Sequence, residues 1–460
     1  MAQPTVSTSR SAAHDRLAYF EVRGLFSAFT YRIPLNLNQR VTAIIAPNGS
    51  GKTICLRLIN SLFTQQWSFF SDLDFESVHY RFESGFRVTI SHEPRSEEGE
   101  EAATSLGIVF KVEHPTGEAF DWRPGPTDPK IIRTLPLERY INYLTRRSLN
   151  QYVHDYTGAS YTYLEAVEAF SSALPQGFRH AIYGEMPPVL GRLVGNIDCH
   201  LIETQRLLIL RDEVDDAPYR SSRTQRSSLA IARKAQLLKT IIAKDLTAYA
   251  ALSQSLDRSF PKRVINLQSI LDPENLKARL AMQDEKRASL MLAGILDSEI
   301  DDPVTLPEGN LPDAISRVLS VFAQDTEQKL DVLTKLQTRI ELFSELIRER
   351  FSSKDVVVSK ESGFEITFRN QRIPLDALSS GEQHQLVLFF ELLFELRENA
   401  LILIDEPELS LHVAWQKKFI LDLQRIIALN QFDVILATHS PQLISRWNDL
   451  VVELGKVDEE

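Results

Sequence analysis

The sequence predicts an α/β protein that has a mixed sheet with a phosphate-loop core, an antiparallel β region and a helical insertion. Three observations predict this fold class. A buried apolar run ends in the glycine-rich segment APNGSGKT at residues 46–53, alternating strand-like segments surround it, and helical periodicity extends from about residue 227 to residue 351. Strand-like runs resume after residue 353. The predicted helices therefore separate two sheet-forming segments.

Composition sets limits on the function. The chain has 460 residues, more than a single typical domain, and its formal net charge of -11 argues against a surface that binds nucleic acid everywhere, although one basic face is allowed. Two cysteines are too few for a disulfide scaffold or a zinc site. No apolar run approaches the ~20 residues that a membrane span needs. Residues 1–16 lack the apolar centre of a signal peptide and are expected to form a disordered tail, so we expect a cytoplasmic protein that binds no membrane.

The first strands lead into the phosphate loop. Strand-like runs cover residues 17–22, 29–33 and 41–45, and the last of these runs directly into Ala46. In the pattern G-x-x-x-x-G-K-[ST], backbone N–H groups of the loop wrap phosphates at the start of a helix, and Ala46 is a small departure from its first glycine. The predicted phosphate-binding residues are Asn48, Gly49, Ser50, Gly51, Lys52 and Thr53. Lys52 would contact the β and γ phosphates and Thr53 would ligate Mg²⁺, whereas the alternative is a glycine-rich turn without a ligand.

An antiparallel β region is expected after the phosphate-loop helix. Residues 77–82 and 86–90 alternate apolar and polar side chains around a Glu-Ser-Gly turn, which is typical of a hairpin, and residues 108–112 add a strand. The acidic stretch 96–101 is expected to be a solvated loop.

The middle of the chain is predicted to be helical. One long helix is expected between Ile315 and Phe351, and a preceding helix over about 227–256 could pair with it, with residues 273–312 as the connection. A short coiled coil and simple core packing both fit this pattern. The apolar seam of the long helix consists of Ile315, Leu319, Phe322, Leu330, Leu333, Ile340, Phe343 and Ile347.

Carboxylates and a histidine follow two apolar strands near the end of the chain. After strand-like runs at 355–358 and 364–368, residues 401–404 form an apolar run that ends in Asp405 and Glu406. Asp405 is placed to hold Mg²⁺ and Glu406 to orient and deprotonate an attacking water. Residues 434–437 run into His439, which could contact the γ-phosphate. The alternatives are two surface acids at a strand end and a capping histidine.

A second anion site is predicted at the segment LSSGEQ, residues 378–383. Serine hydroxyls and a glycine precede an apolar helix at 386–390, and a helix N-terminus attracts anions. Alone, the segment is an ordinary helix cap.

Together, APNGSGKT, LSSGEQ, LILIDEPELS and ATHS resemble the Walker A, signature, Walker B and switch-histidine motifs of ABC-type ATPases, in the order typical of that family. The resemblance implies an ABC-type ATPase head that uses ATP and Mg²⁺ and that pairs head to tail with a second copy. Ser380, Gly381 and Glu382 would then contact the nucleotide of the partner head. Gln205 resembles the glutamine that senses Mg²⁺ and the γ-phosphate.

The resemblance also implies a head divided by an insertion, as in the SMC and Rad50 branch. The expected limits are a tail at 1–16, an N-terminal lobe at 17–210, a helical insertion at 211–352 and a C-terminal lobe at 353–460. The short insertion, and His412 where transporter heads have an aspartate, resemble the compact ATPases of bacterial anti-phage systems. These are the overcoming-lysogenization-defect nucleases, the Septu ATPase PtuA and the PARIS ATPase AriA.

This relationship implies an ATP-dependent sensor and scaffold that controls a toxic effector. Because the chain ends soon after His439, a Toprim domain is not expected within it, and the effector would be encoded separately, Toprim-like in PARIS systems or an HNH nuclease in Septu systems. DNA or a phage protein would be the trigger. A transporter subunit is disfavoured by the insertion and by His412.

The alternative function is a DNA clamp similar to Rad50 and RecF. Residues 217–244 contain no acidic side chain, so one face could contact DNA phosphates, although a solvated helix face or an acidic protein partner would explain the same pattern. The basic strip consists of Arg220, Arg223, Arg226, Arg233, Lys234, Lys239 and Lys244.

Overall fold

The computed structural model describes residues 15–47, 49–93, 106–125, 136–148, 151–155, 158–175, 177–203, 223–297, 312–351, 353–411, 413–444 and 446–455. The chain divides into two compact units. The first comprises residues 1–206, 211–220 and 397–460, and the second comprises 207–210 and 221–396. The limits expected for the lobes and the insertion stay a prediction. Asn48, Gln205, His412, the acidic stretch 96–101 and the tail up to residue 14 lie outside the described residues.

Strands of the first unit come from both ends of the chain. They are β1 Leu17–Leu25, β2 Phe29–Pro34, β3 Val41–Ile45, β4 Ser77–Phe82, β5 Arg87–His92, β6 Ile108–Glu113, β7 Ala119–Trp122, β8 Leu144–Ser148, β9 Gln151–His154, β10 Ser160–Tyr161 and β11 Cys199–Glu203. The later strands, with those of the second unit included, are β12 Lys354–Ser359, β13 Gly363–Phe368, β14 Gln371–Arg372, β15 Leu401–Asp405, β16 Asp433–Thr438 and β17 Val451–Glu453.

Helices connect and cover these strands. They are α1 Lys52–Phe63, α2 Trp67–Asp72, α3 Tyr163–Ala169, α4 Phe178–Tyr183, α5 Pro188–Gly195, α6 Arg223–Asn266, α7 Pro273–Leu292, α8 Asp313–Arg350, α9 Ser380–Phe390, α10 Val413–Asn430 and α11 Pro441–Ile444. None of the helices within the described residues combines the length and the apolar character that a membrane-crossing segment requires.

The core sheet of the first unit is parallel, in the order β11-β15-β16-β3-β17. Its central strands are apolar almost throughout and buried, which is the pattern of a parallel sheet covered on both faces. Register pairs Glu203 with Asp405, Asp405 with Ala437, and Thr438 with Ile45. The carboxyl ends of strands from distant parts of the sequence therefore meet at one edge, where ligands bind in open α/β sheets.

An antiparallel sheet in the order β2-β1-β4-β5-β6-β7 completes the first unit, with a smaller sheet β10-β9-β8. Its inward side chains pack in a core that is rich in aromatic rings, with Trp67 of α2 against Phe110 and Trp122. Sequence periodicity predicted β4 to β6, and these strands are confirmed. Strand β7, the smaller sheet and helices α3 to α5 were not predicted, because these elements are too short for a clear period.

The second unit contains α6 to α9 and the sheet β12-β13-β14. The long predicted helix is present as α8, and its seam residues Leu330, Leu333, Ile340, Phe343 and Ile347 are buried. Ile315 differs from the prediction, since it lies in the first turn of the helix and is 47% exposed. Helices α6 and α8 pack on each other and on β13 and β12, respectively, and both contact α9. Part of the helical pair thus belongs to the core of this unit.

The predicted fold class is confirmed. The chain is an α/β protein with a parallel core sheet that carries the phosphate-loop segment, antiparallel sheets and a long helical segment between its sheet-forming parts.

Candidate functional site

The loop between β3 and α1 has the backbone of a phosphate loop. Gly49 and Gly51 have φ values of 81° and 89°, which only glycine adopts without strain. A side chain at Gly49 would meet no described atom within 4 Å, so there is space beside the loop. The Tyr31 hydroxyl donates to the Ser50 carbonyl at 2.5 Å and fixes the loop from β2. The buried Ser50 hydroxyl has no hydrogen-bond partner among the described residues, which leaves it for a ligand.

Lys52 is placed by the first turn of α1. Its side chain is buried, and its ammonium donates to the carbonyl oxygens of Ala46 at 2.8 Å and Pro47 at 3.1 Å. The charge therefore lies inside the curve of the loop. A phosphate bound there would compete with these carbonyls for the same donor.

Thr53 and Asp405 meet at the carboxyl edge of the core sheet. The Thr53 hydroxyl donates to Asp405 Oδ2 at 2.7 Å, which joins the phosphate loop to the end of β15. Burial, with the nearby carboxylates of Glu406 and Glu203, raises the pKa of Asp405 against the opposing effects of Thr53 and Lys52. A cation would offset this unfavourable environment for the carboxylate. A hydroxyl and a carboxylate are hard oxygen ligands, so the pair fits the predicted Mg²⁺ site.

Glu406 turns the chain out of the core sheet. It has φ 46° and ψ 56°, a left-handed conformation that costs a non-glycine residue free energy and is concentrated at functional sites. Its N–H still donates to the Ala437 carbonyl at 2.8 Å. Its Oε1 lies 3.6 Å from Nδ1 of His439, so the two residues predicted to handle the attacking water are neighbours.

A third carboxylate, Glu408, contacts the turn that carries His439. Its side chain is 4% exposed, and Oε1 accepts from the Thr438 hydroxyl at 2.7 Å and from the His439 N–H at 2.8 Å. The same oxygen is 3.1 Å from His439 Nδ1. Glu408 was not predicted as a site residue, although the three carboxylates within residues 405–408 are a signal that indicates it.

Gln416 on α10 supports the same region. Its amide donates to the Leu411 carbonyl at 3.2 Å and accepts from the Ser440 hydroxyl at 2.8 Å. The loop after β15 and the turn after β16 are therefore connected by side chains as well as by the sheet.

The glutamine that was predicted to sense Mg²⁺ and the γ-phosphate follows strand β11. Gln205 lies outside the described residues, while Glu203, at the end of β11, forms an ion pair with Arg57 of α1 at 2.8 Å. The strand thus points its carboxyl end at the edge where Asp405 lies. The contact between Gln205 and a metal ion stays a prediction.

The signature segment lies in the second unit. Ser379 caps α9 with a reciprocal box to Glu382, and Ser380 is exposed at the first helical position. Lys354 on β12 donates to both oxygens of Glu382 at 2.8 Å. Burial favours the neutral acid, but the bonds from Lys354 and Ser379 outweigh it and lower the pKa of Glu382. The carboxylate of Glu382 therefore organises its own helix end, and the predicted contact of Ser380, Gly381 and Glu382 with a nucleotide stays a prediction.

A family model described as an AAA ATPase domain matches residues 239–444, just under half of the chain. The matched segment includes the signature helix, the strand that ends in Asp405 and His439. The phosphate loop lies before it. The match therefore supports an ATPase assignment from the half of the chain that carries the second set of motifs.

Solved structures similar to the chain include heads of Smc proteins. The Smc head domain of Pyrococcus furiosus with an extended coiled coil, bound to the C-terminal domain of ScpA, has 13% identity over 94% of this chain and 91% of that chain, with a TM-score of 0.32. The SMC head domain from Thermotoga maritima has 13% identity over 94% and 91%, with a TM-score of 0.29. Because the sequence identities and TM-scores are this low, the functional assignment rests on the residues of the site.

Proposed function

We propose that the protein is a Mg²⁺-dependent ATP hydrolase of the ABC class. The observation that carries the proposal is the hydrogen bond between Thr53 and Asp405, which brings the phosphate loop and the Walker B-like strand to one edge of the core sheet. Glu406 and His439 lie at the same edge, each directly after one of the neighbouring strands β15 and β16. These residue types at these positions supply the parts that phosphoryl transfer to water requires.

Each residue has a distinct task in this proposal. Lys52 leaves its loop carbonyls to contact the β and γ phosphates, and the loop N–H groups hold the phosphate oxygens. Thr53 and Asp405 would hold Mg²⁺, which would supply positive charge against the charge of the phosphates. Glu406 accepts the proton of the attacking water, and His439 contacts the γ-phosphate and helps to hold that water.

The proposed active unit is a head-to-tail pair of heads. Ser380 is exposed at the N-terminus of α9, where backbone N–H groups attract an anion, and the Lys354–Glu382 pair fixes this helix end. The γ-phosphate bound by a second copy is the anion that we assign to it. This assignment follows from the motif resemblance and from the exposed position of Ser380.

We further propose that the cytoplasmic complex serves anti-phage defence. ATP binding would close the paired heads, and a trigger, DNA or a phage protein, would release or activate a separately encoded nuclease. The support is the resemblance to compact defence ATPases: the motif set, the short helical insertion and His412. A PARIS-like arrangement would have a Toprim-like effector, and a Septu-like arrangement would have an HNH nuclease.

A DNA clamp is the second candidate because of the basic strip, whose members from Arg223 to Lys244 lie on α6, whereas Arg220 lies outside the described residues. Arg233 and Lys244 are exposed and could contact phosphates. Lys234 forms ion pairs within its own unit, with Glu391 at 2.9 Å and with Glu395 at 2.6 Å. The described part of the strip thus offers fewer available cations than its sequence suggests.

Phosphate release from ATP by the purified protein, with and without Mg²⁺, tests the enzymatic proposal. The Lys52→Ala variant should release none, and an inactive wild type would contradict the proposal. Phage plating on cells that express the chain with its neighbouring genes tests the defence role. Protection that Lys52→Ala abolishes supports it, and lack of protection would remove the defence role while leaving the ATPase assignment intact.

A further inference from the structure

The buried carboxylate of Glu408 has contacts that a structural acid alone would not need. One oxygen, Oε1, receives the Thr438 hydroxyl, the His439 N–H and the approach of His439 Nδ1 at 3.1 Å. The other oxygen is buried and has no hydrogen-bond partner among the described residues. Burial of a carboxylate is costly unless the group is hydrogen-bonded or paired with a positive charge. Its contacts concentrate on the residue predicted to hold the attacking water.

The ring nitrogen Nδ1 of His439 faces a carboxylate. An ionised carboxylate only accepts hydrogen bonds, so a ring nitrogen that bonds to it carries a proton. Glu408 Oε1 lies within hydrogen-bond distance of Nδ1, whereas Glu406 Oε1 is 3.6 Å away and therefore outside it. With Nδ1 engaged, Nε2 is the ring nitrogen left for water or phosphate. Which tautomer a histidine adopts is commonly set by the bond that its other nitrogen makes.

Hydrogen bonds also fix the backbone around Glu408. Its carbonyl accepts from the Leu411 N–H at 3.1 Å and from the Gln416 amide at 3.4 Å. Ser440 follows His439. Its N–H donates to the Thr438 hydroxyl and its own hydroxyl donates to Gln416 Oε1. Glu408 is therefore fixed relative to the turn that carries His439.

We infer that Glu408 is a positioning residue that holds His439 in the tautomer protonated at Nδ1, and thereby presents Nε2 to the reaction. The inference rests on the proposed ATPase function. It assigns Glu408 no contact with the nucleotide. Its effect passes through His439, so removal of His439 should make Glu408 irrelevant to turnover.

A double-mutant cycle tests this dependence. Glu408→Gln keeps the shape but removes the acceptor-only character of the group, and we expect kcat to fall about 10- to 100-fold with KM for ATP changed less than about 3-fold. His439→Ala should lose a similar factor, and the double variant should be no slower than His439→Ala alone. Losses that multiply in the double variant, or wild-type turnover in Glu408→Gln, would overturn the inference. Glu118→Gln, the same change at an exposed position in the β6–β7 turn, is the matched control and should turn over like the wild type.

A spectroscopic measurement separates this inference from the proposed function and from misfolding. In ¹⁵N-histidine-labelled wild-type protein at pH 8, the resonances lost in His439→Gln identify His439 among the ten histidines. We expect a protonated Nδ1 in the wild type. An unprotonated Nδ1 would overturn the inference even if ATP is hydrolysed. If ATP is not hydrolysed, the proposed function fails, and a protonated Nδ1 that shifts in Glu408→Gln still supports the positioning contact.

Discussion

The Thr53 hydroxyl donates to Asp405 Oδ2 at 2.7 Å, across a sequence separation of 352 residues. The bond connects the first turn of α1 to the end of β15 and places two oxygen ligands side by side. It is the contact through which the two distant motifs form one site.

Loss of the Thr53 hydroxyl should therefore weaken ATP binding when Mg²⁺ is present. Thr53→Val keeps the shape of the side chain, and we expect the affinity for ATP with Mg²⁺ to fall about 10- to 100-fold while affinity in EDTA changes less than about 3-fold. Calorimetry under both conditions measures the difference. Thr64→Val, at the other end of the same helix, is the control and should behave like the wild type. An equal loss with and without Mg²⁺ would remove the metal role of Thr53.

Glu406 should be required for turnover but not for binding. Glu406→Gln removes the base that accepts a proton from water, so kcat should fall at least about 100-fold while ATP is retained and closed head pairs accumulate. Phosphate release and nucleotide co-sedimentation measure the two effects. Glu118→Gln, exposed in the β6–β7 turn, is the matched control. Turnover at the wild-type rate in Glu406→Gln would show that Glu406 is not the base.

Ser380 should act on the nucleotide of a second copy. Ser380→Arg introduces a bulky cation at the exposed start of α9 without a change in the phosphate loop, so the affinity for ATP of an unpaired head should persist while head pairing and hydrolysis fail. Sedimentation with a non-hydrolysable ATP analogue measures pairing. Ser255→Arg, at an exposed position on α6, is the control. Pairing and turnover equal to the wild type in Ser380→Arg would argue against a shared site.

The sequence was informative where motifs and strong periods coincide. Apolar runs predicted β3, β15 and β16 nearly to their ends, because strands of a buried parallel sheet read as continuous hydrophobic segments. The sequence motifs predicted the phosphate loop and the acids Asp405 and Glu406 at the end of β15. The apolar seam between Ile315 and Phe351 predicted helix α8.

The contacts that complete the site were not predictable in the same way. Lys354 reaches Glu382 from a strand whose sequence signal is a run of three valines, and nothing in that run indicates a partner for Lys354. Glu408 was visible as a third carboxylate, but its role depends on the register between β15 and β16, which places the Thr438–His439 turn above it. Such pairings are set by tertiary packing, which single-sequence periodicity does not encode.

Gly363 should be sensitive to the smallest substitution. It has φ 75° at the start of β13, and an added Cβ would overlap the Ala235 carbonyl of α6. Gly117 has φ 94° in the β6–β7 turn, where a Cβ would meet no described atom within 4 Å. Gly117→Ala should cost only the conformational term, about 1 kcal/mol. Gly363→Ala adds a steric conflict with backbone and should cost at least about 3 kcal/mol in the free energy of unfolding. Denaturant unfolding of both variants measures the difference, and equal costs would show that the helix and the hairpin are not tightly packed at this point.

The basic strip distinguishes a DNA clamp from a scaffold. If it holds DNA, the logarithm of the affinity should fall with the logarithm of salt concentration with a slope of about -0.9 per phosphate contacted, and reversal of Arg223, Arg226 and Arg233 to Glu should flatten that slope. We expect the other result. DNA binding by the wild type should be weak, and the triple reversal should disturb capture of a protein partner or trigger while ATP hydrolysis stays intact, because the net charge of -11 disfavours a large DNA footprint.

Arg258, Lys262 and Lys277 are exposed cations on α6 and α7 outside the strip. The control for this experiment replaces all three with Glu. It changes the net charge by the same amount, so a general electrostatic effect would appear in both variants. Lys234 is left unchanged because its contacts with Glu391 and Glu395 stabilise its own unit. DNA affinity is measured at two salt concentrations with ATP and Mg²⁺ present. Tight, steeply salt-dependent binding that the strip reversal abolishes and the control retains would establish the clamp and overturn the scaffold.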